Sequence, residues 1–342
     1  MRLGPFLVRR LALSIFVLLG LSIVIFIIAR VVPGDPARMA LGPRAPVEIV
    51  EKLRKQMYLD KPIYQQYFLW LAGVLRGDLG ESLFTRRPVT VDIREFLPAT
   101  LELVILSSCI MAIGGISLGV LSARYPDTWF DNAVRIFAYL GIVTPAFAWA
   151  VIFMLIFGYV WPIFPTLGRI SEGLTAPPVI TGMVTVDSIL AGNFSLFWDA
   201  FKHLVLPAIA LAMGGMSQAA RITRSSMADN QNKDYILAMV AYGVPRRVVT
   251  TKYLLKPSLI PTISVMSLDM AALFGNAFLV ELIFNYPGLS RYGIETMLNK
   301  DVNGIVGVVM ILGIVFVSIN IIVDVIVAYL DPRIRILGGR RV

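Results

Sequence analysis

The sequence predicts an all-α polytopic membrane protein with six spanning helices and both termini on the cytoplasmic side. Three observations carry this expectation. Of 342 residues, 57% are hydrophobic and only 15% are charged, against about 45–50% and about 25% in soluble domains. Six aliphatic stretches are each long enough to cross roughly 30 Å of hydrocarbon. Lys and Arg are distributed unequally between the segments that would alternate across the bilayer.

The first expected span is Leu11–Arg30. Its apolar core exceeds that of a signal peptide, and "ARVVPGDPAR" follows it in place of a small-residue cleavage site. With Arg9 and Arg10 before it, the segment reads as a retained anchor. The other expected spans are Ala99–Ala123, Arg135–Val160 with a kink at Pro145, His203–Ala220, Leu259–Phe284 and Gly304–Leu330. Between the first two, Pro46 suits a helix start, and Ile49, Leu53 and Met57 then share a face. Tyr64, Tyr67, Phe68, Leu71 and Leu75 form a second stripe. These two helices are expected to pack together as a small external cap. The Gly- and Pro-rich loop 162–202 is too irregular to enter hydrocarbon unprotected and is expected to lie over the outer mouth.

Charge sets the direction. With the N-terminus inside, segments 1–10, 122–135, 221–258 and 331–342 carry sixteen Lys/Arg against five acids, and the short outside loops carry four against five. The net charge of +9 therefore reads as loop retention and contact with membrane lipids, and no basic module for nucleic acid forms. A lone cysteine, Cys109, permits no internal disulfide, and a lone His203 excludes a multi-histidine metal site. His203 is expected at the interface.

The segment Arg221–Pro261 holds seven basic groups between two spans. A short helix is expected over Asp234–Tyr242, ended by Gly243 and Pro245 and followed by a second short helix lying along the membrane. Small residues at Ala238, Ala241 and Gly243 would let another backbone come close. Orientation alone explains the charge of this segment but not its residue order.

That order, "DYILAMVAYGVPRRVVTTKYLLKPSLIP", resembles the cytoplasmic EAA-type loop of ABC importer permeases in the dipeptide/oligopeptide/nickel group. Asp234, Tyr235, Ala241, Gly243, Arg247 and Pro261 fall on the pattern. "RVVPGDPA", "GDLGESL", "FLPATLEL", "DAFKHLVLPAIAL", "TRSSM", "NYPGLSR" and "YLDPRIR" resemble the family in the same order, from residue 30 to 335. Departures occur at Leu237, Met239, Val240 and Tyr242, and at "NKDVNGI", which leaves the substrate subfamily open.

The resemblance implies a type I importer permease fold with a helical insertion after the first span. Its parts would be a tail and first span at 1–32, an external cap at 33–97, a core at 98–335 containing the coupling loop 221–258, and a tail at 336–342. It implies a prokaryotic plasma-membrane subunit that forms half of a passage for peptides, with nickel chelates, glutathione or oligosaccharides as alternatives. Its partners would be a second homologous permease in a heterodimer, two ATPase subunits and an external solute-binding protein. Asp234, Tyr235, Ala238, Ala241 and Gly243 would form a knob seated in an ATPase groove, with Arg246 and Arg247 as its rim. ATP and magnesium would be used by those partners and no cofactor bound here. The dipeptide Gly-Lys, which a phosphate-binding loop requires, occurs nowhere in the chain.

Within the spans, Asp269 and Asn276 lie two helical turns apart on one face and are the candidates for a polar route, with Glu281 near its outer end. Glu102, Asn320 and Asp324 read as hydrogen-bonding links between helices. Two other classes compete. An ion-coupled carrier would use such acids as relays but normally shows internal repeats, and none is visible here. A membrane hydrolase would need a nucleophile and base at workable spacing, and the acids pair with no Ser or His.

Overall fold

The computed structural model describes residues 3–31, 36–42, 44–56 and 58–330. Among them all regular structure is helical, apart from one isolated antiparallel bridge between Glu81 and Pro88. Five helices are long and apolar enough to cross a membrane, and a bent pair makes a sixth crossing if counted as one. The expected class holds, and the spans lie where hydropathy placed them. Their ends and some of their packing differ.

Helix α1 (Leu3–Val31) exposes apolar side chains such as Val8 and Phe16, as a lipid-facing helix must. Pro33, Gly34 and Asp35, from the motif after it, lie outside the described residues, as do Met57 and the C-terminal 331–342. Helices α2 (Pro36–Leu41) and α3 (Val47–Gln56) pack on each other, and α3 buries Val50 while Ile49 stays exposed. Leu53 is helical, but its side chain lies outside the description.

Helix α4 (Ile63–Leu75) does not form the expected cap with α3. It lies on α1, where Tyr67 Oη meets Ser22 Oγ at 2.9 Å and Phe26 packs against the Tyr67 ring edge-on and the Trp70 ring at a tilt. Tyr64, Phe68 and Leu75 remain exposed. Aromatic contact with a lipid-facing helix displaces the expected pairing of two amphipathic ones.

Helix α5 (Val89–Arg124) starts ten residues before the apolar run, because its first polar residues find partners. Asp92, fully buried, accepts hydrogen bonds from Thr85 and Tyr292 and pairs with Arg87 at 2.6 Å. The expected third span is two helices, α6 (Trp129–Val143) and α7 (Ala146–Met154), meeting at 110°. A residue before proline is driven out of the helical region, and Thr144 is extended at ψ 122 with Pro145 at ψ 150. The expected kink is a break. A π-helical stretch, Leu155–Val160, completes the second arm.

Helix α8 (Val184–Leu190) sits in the long loop, and α9 (Phe194–Gln231) runs through the centre of the molecule against α5, α6, α7 and α8. Small residues allow close approach: a Cβ added at Gly115 or Gly119 would come within 2.7 Å of the α9 backbone. Expected only over 203–220, α9 starts earlier, where Asn193 accepts from the Leu196 N–H as a cap, and ends later, where Thr223 and Asn230 bond to Thr262 and Ser258 of the next span. His203 is buried there, its Nδ1 bonded to the Asp199 carbonyl at 2.9 Å.

Helix α10 (Asp234–Ala241) is short. Helix α11 (Arg246–Val248), a π-helical turn at Val249–Leu254 and α12 (Leu255–Ile283) form one continuous rod of 38 residues. The second short helix expected along the membrane is thus the first turns of the fifth span. Helix α13 (Leu289–Leu298) caps the far end, and α14 (Val302–Leu330) returns beside α1, fastened by Arg10 to Asp324 at 2.9 Å. Asn320 bonds to the Phe316 carbonyl of its own helix. Between α5, α7, α9 and α12 lies the main core, including Leu103, Leu206, Leu211 and Phe274.

Candidate functional site

Two sites were expected, a coupling surface at α10 and a polar route along α12, and the structure treats them differently. Helix α10 ends in a Schellman turn: Val244 N–H donates to the Met239 carbonyl at 3.1 Å and Gly243 N–H to that of Val240 at 3.0 Å. Gly243 takes φ +76, open to a residue without Cβ, and Pro245 then sets the start of α11. The turn therefore joins α10 to the long rod with no slack between them.

One side of α10 is seated. Ile236, 4% exposed, joins Met227, Val249 and Leu254 in a small core with Met239 at its edge. The rest of the helix is uncovered by the described residues: Asp234, Tyr235, Leu237, Ala238, Val240, Ala241, Tyr242 and Gly243 are all exposed, Tyr242 to 88%. The predicted knob residues are thus brought together on one surface. Arg246 and Arg247 lie beside it and line a cavity of about 470 Å³ with Arg124 and Gln231. Pro261 lies inside α12, exposed and away from the knob.

The second site is in the middle of the long rod. Asp269 and Asn276 both line a cavity of about 340 Å³, with Gln218, Gly214 and the broken Thr144–Pro145 segment. Asp269 is only partly covered, yet its Oδ2 is buried with no hydrogen-bond partner among the described residues.

Glu281 is elsewhere. It is fully buried and accepts from Thr100 Oγ1 at 2.5 Å and from the Arg291 N–H at 2.9 Å. A side chain at Gly288 would strike its carboxyl. Thr100 in turn accepts from the Leu289 N–H at 2.8 Å. Glu281 therefore fastens α5, α12 and α13 together and does not line the cavity.

Glu102 is the centre of a similar knot. Arg169 donates to it at 2.6 Å, Thr185 from its N–H at 2.7 Å, and Tyr286 Oη at 3.0 Å. Burial pushes the Tyr286 hydroxyl well above its ordinary value, and the neighbouring Glu102 charge adds to this. Asp187 ties the loop to itself. Burial works against its charge, but bonds from Thr181, Ile180 and Gly182 hold the carboxyl below the usual range.

Sequence reasoning missed one clamp at the α10 end. Asp131, fully buried, accepts from Arg224 Nε at 2.5 Å and Nη2 at 2.7 Å, and from Ser122. Arg224 belongs to "TRSSM", so the motif was visible, but its partner lies 93 residues away. Among the described residues no group of three or more His, Cys, Asp or Glu could hold a metal.

Comparison with known proteins places this arrangement. Residues 115–336 match the family described as binding-protein-dependent transport system inner membrane component, and residues 3–104 match its N-terminal companion. The chain is 37% identical to the "Probable D,D-dipeptide transport system permease protein DdpB" of Escherichia coli, covering 95% of this chain and 96% of that one. It is also 37% identical to the dipeptide transport system permease protein DppB of Alkalihalophilus pseudofirmus, over 96% and 98% of the two. The glutathione transport system permease protein GsiC of Escherichia coli is 30% identical over the same shares. The relatives are permeases of ABC importers, transport components and not enzymes. The chain therefore belongs to the inner membrane components of binding-protein-dependent transport systems, multi-pass membrane proteins that work with a solute-binding protein and ATPase subunits.

Proposed function

We propose that this chain is one of two homologous permease subunits of a heterodimer that moves dipeptides and short peptides inward, with both its termini cytoplasmic. The observation that carries the reading is the two-sided α10, seated on its own core by Ile236 and presenting Tyr235, Leu237, Val240 and Tyr242 to something outside the chain. An exposed apolar surface next to Arg246 and Arg247 suits a protein partner. On this reading the partner is an ATPase subunit, which binds ATP and magnesium while this chain binds neither. Closure of the two ATPases moves α10, and the Schellman turn passes that movement to the 38-residue rod, roughly 57 Å long. Asp269 and Asn276 then line the passage on the rod's inner surface.

Support for peptides comes from the dipeptide permeases at 37% identity. Glutathione, a modified tripeptide, is the second reading, favoured by the 30% identical relative. The test is uptake by proteoliposomes that hold both permeases and both ATPases. Alanyl-alanine should accumulate only with internal ATP and external binding protein. Accumulation driven by a proton gradient after ATP depletion would contradict the reading.

A further inference from the structure

The α12 cavity has a property that the proposed passage does not by itself require. Among the described residues Asp269 is its only charged lining residue, and no Lys, Arg or His lines it from α6, α7, α9 or α12. From α5, Met111 fills the space beside Gly215. Among the described residues Oδ2 of Asp269 has no donor, although Gln218 and Asn276 share the cavity. A lone carboxylate near the middle of a spanning helix is costly unless a cation or water meets it. Glu281, on the same helix, shows what a carboxylate placed for structure looks like, with a donor on each oxygen.

Resting on the reading that this cavity belongs to a peptide passage, we propose that Asp269 is the counter-charge for the protonated α-amino group of the peptide in transit. The amide side chains of Asn276 and Gln218 are placed to meet the peptide's carbonyl and N–H groups, which lose water in the same place. A volume of about 340 Å³ is at the small end for a ligand site and suits one amino-terminal residue and its peptide bond better than a long chain. Gly275 on the wall, with open space beside it, leaves room there for a backbone. The site is transient by design. A single charge pair guides the amino terminus without holding it.

The test uses the complete importer in proteoliposomes with saturating binding protein loaded with alanyl-alanine. At about pH 6.5, Asp269→Asn should lower ATP-driven uptake about tenfold, and Asp269→Glu should retain most of it, which shows that the site tolerates replacement. An α-amino group loses its proton at about pH 8. The wild-type advantage over Asp269→Asn should therefore shrink towards one as the pH rises to about 9, and the ratio cancels any effect of pH on the binding protein. Equal uptake by the Asn variant at about pH 6.5 would overturn the proposal. So would a deficit of the same size at both pH values, which is the mark of a structural role or of a fixed cation on a partner subunit. Wild-type liposomes that accumulate no peptide with ATP would instead defeat the permease reading itself.

Discussion

Two carboxylates on α12, twelve residues apart, have opposite surroundings. Glu281 is sealed and satisfied, and it fastens three helices where α12 meets α13. Asp269 opens on a cavity with one oxygen unmet. The same contrast holds for whole regions. The far end of the rod is knotted by Glu102, Glu281, Asp92 and Asp301, while the α10 end presents apolar side chains that none of the described residues covers. One end is built to stay together and the other to be moved. On this helix the carboxylate with a donor on each oxygen holds structure, and the one left unmet carries the proposed function.

The largest expected effect comes from breaking the sealed end. Glu281→Ala removes the acceptor for Thr100 and for the Arg291 N–H and leaves a hole, at a cost of about 4 kcal/mol. Unfolding in mild detergent should show it, whereas Asp269→Ala should cost under about 1 kcal/mol in the same assay. Next is Arg224→Ala, which removes the two-pronged partner of the buried Asp131 carboxylate, leaves it only Arg135 at 3.4 Å and the Ser122 and Asp127 donors, and should cost about 3 kcal/mol, with the α6 end of the molecule the first to yield to protease. Gly115→Val pushes a side chain into α9 and should cost about 2 kcal/mol in the same unfolding measurement.

The smallest effect sharpens the contrast at the loop. The Asp187 carboxyl is held below its ordinary value of 3.8. Its contribution is therefore fully present above that value and is lost as the pH falls through the lower folded-state one. Protease protection of loop 162–202 should be unchanged between about pH 7 and about pH 5 and decline only below about pH 4. Asp187→Asn should lose protection already at neutral pH.

Much of this was legible in the sequence. Hydropathy located each span, and the Gly243–Pro245 pair located the end of α10. What it misjudged follows from partners distant in sequence. Asp92 and Asn230 made α5 and α9 look shorter, because nothing near them in the chain announces Tyr292 or Ser258. The stripe of Tyr64, Phe68 and Leu75 was taken for a helix contact, but apolarity does not distinguish a neighbouring helix from lipid or another subunit. Asp269 and Glu281 read alike as acids within one span. Only the positions of Thr100 and Gly288 separate them.

The central claim concerns the free surface of α10, and a crosslink tests it most directly. The exposed Cys109 is first replaced by serine, and Tyr242→Cys then supplies one thiol at the tip. In membranes holding the whole importer, a short thiol-to-amine reagent should join position 242 to the ATPase subunit, with a yield that changes when ATP is added. The tip should also be closed to impermeant thiol reagents applied from the outer side. A position 242 that is labelled from outside, or that never reaches the ATPase in any nucleotide state, would contradict the account.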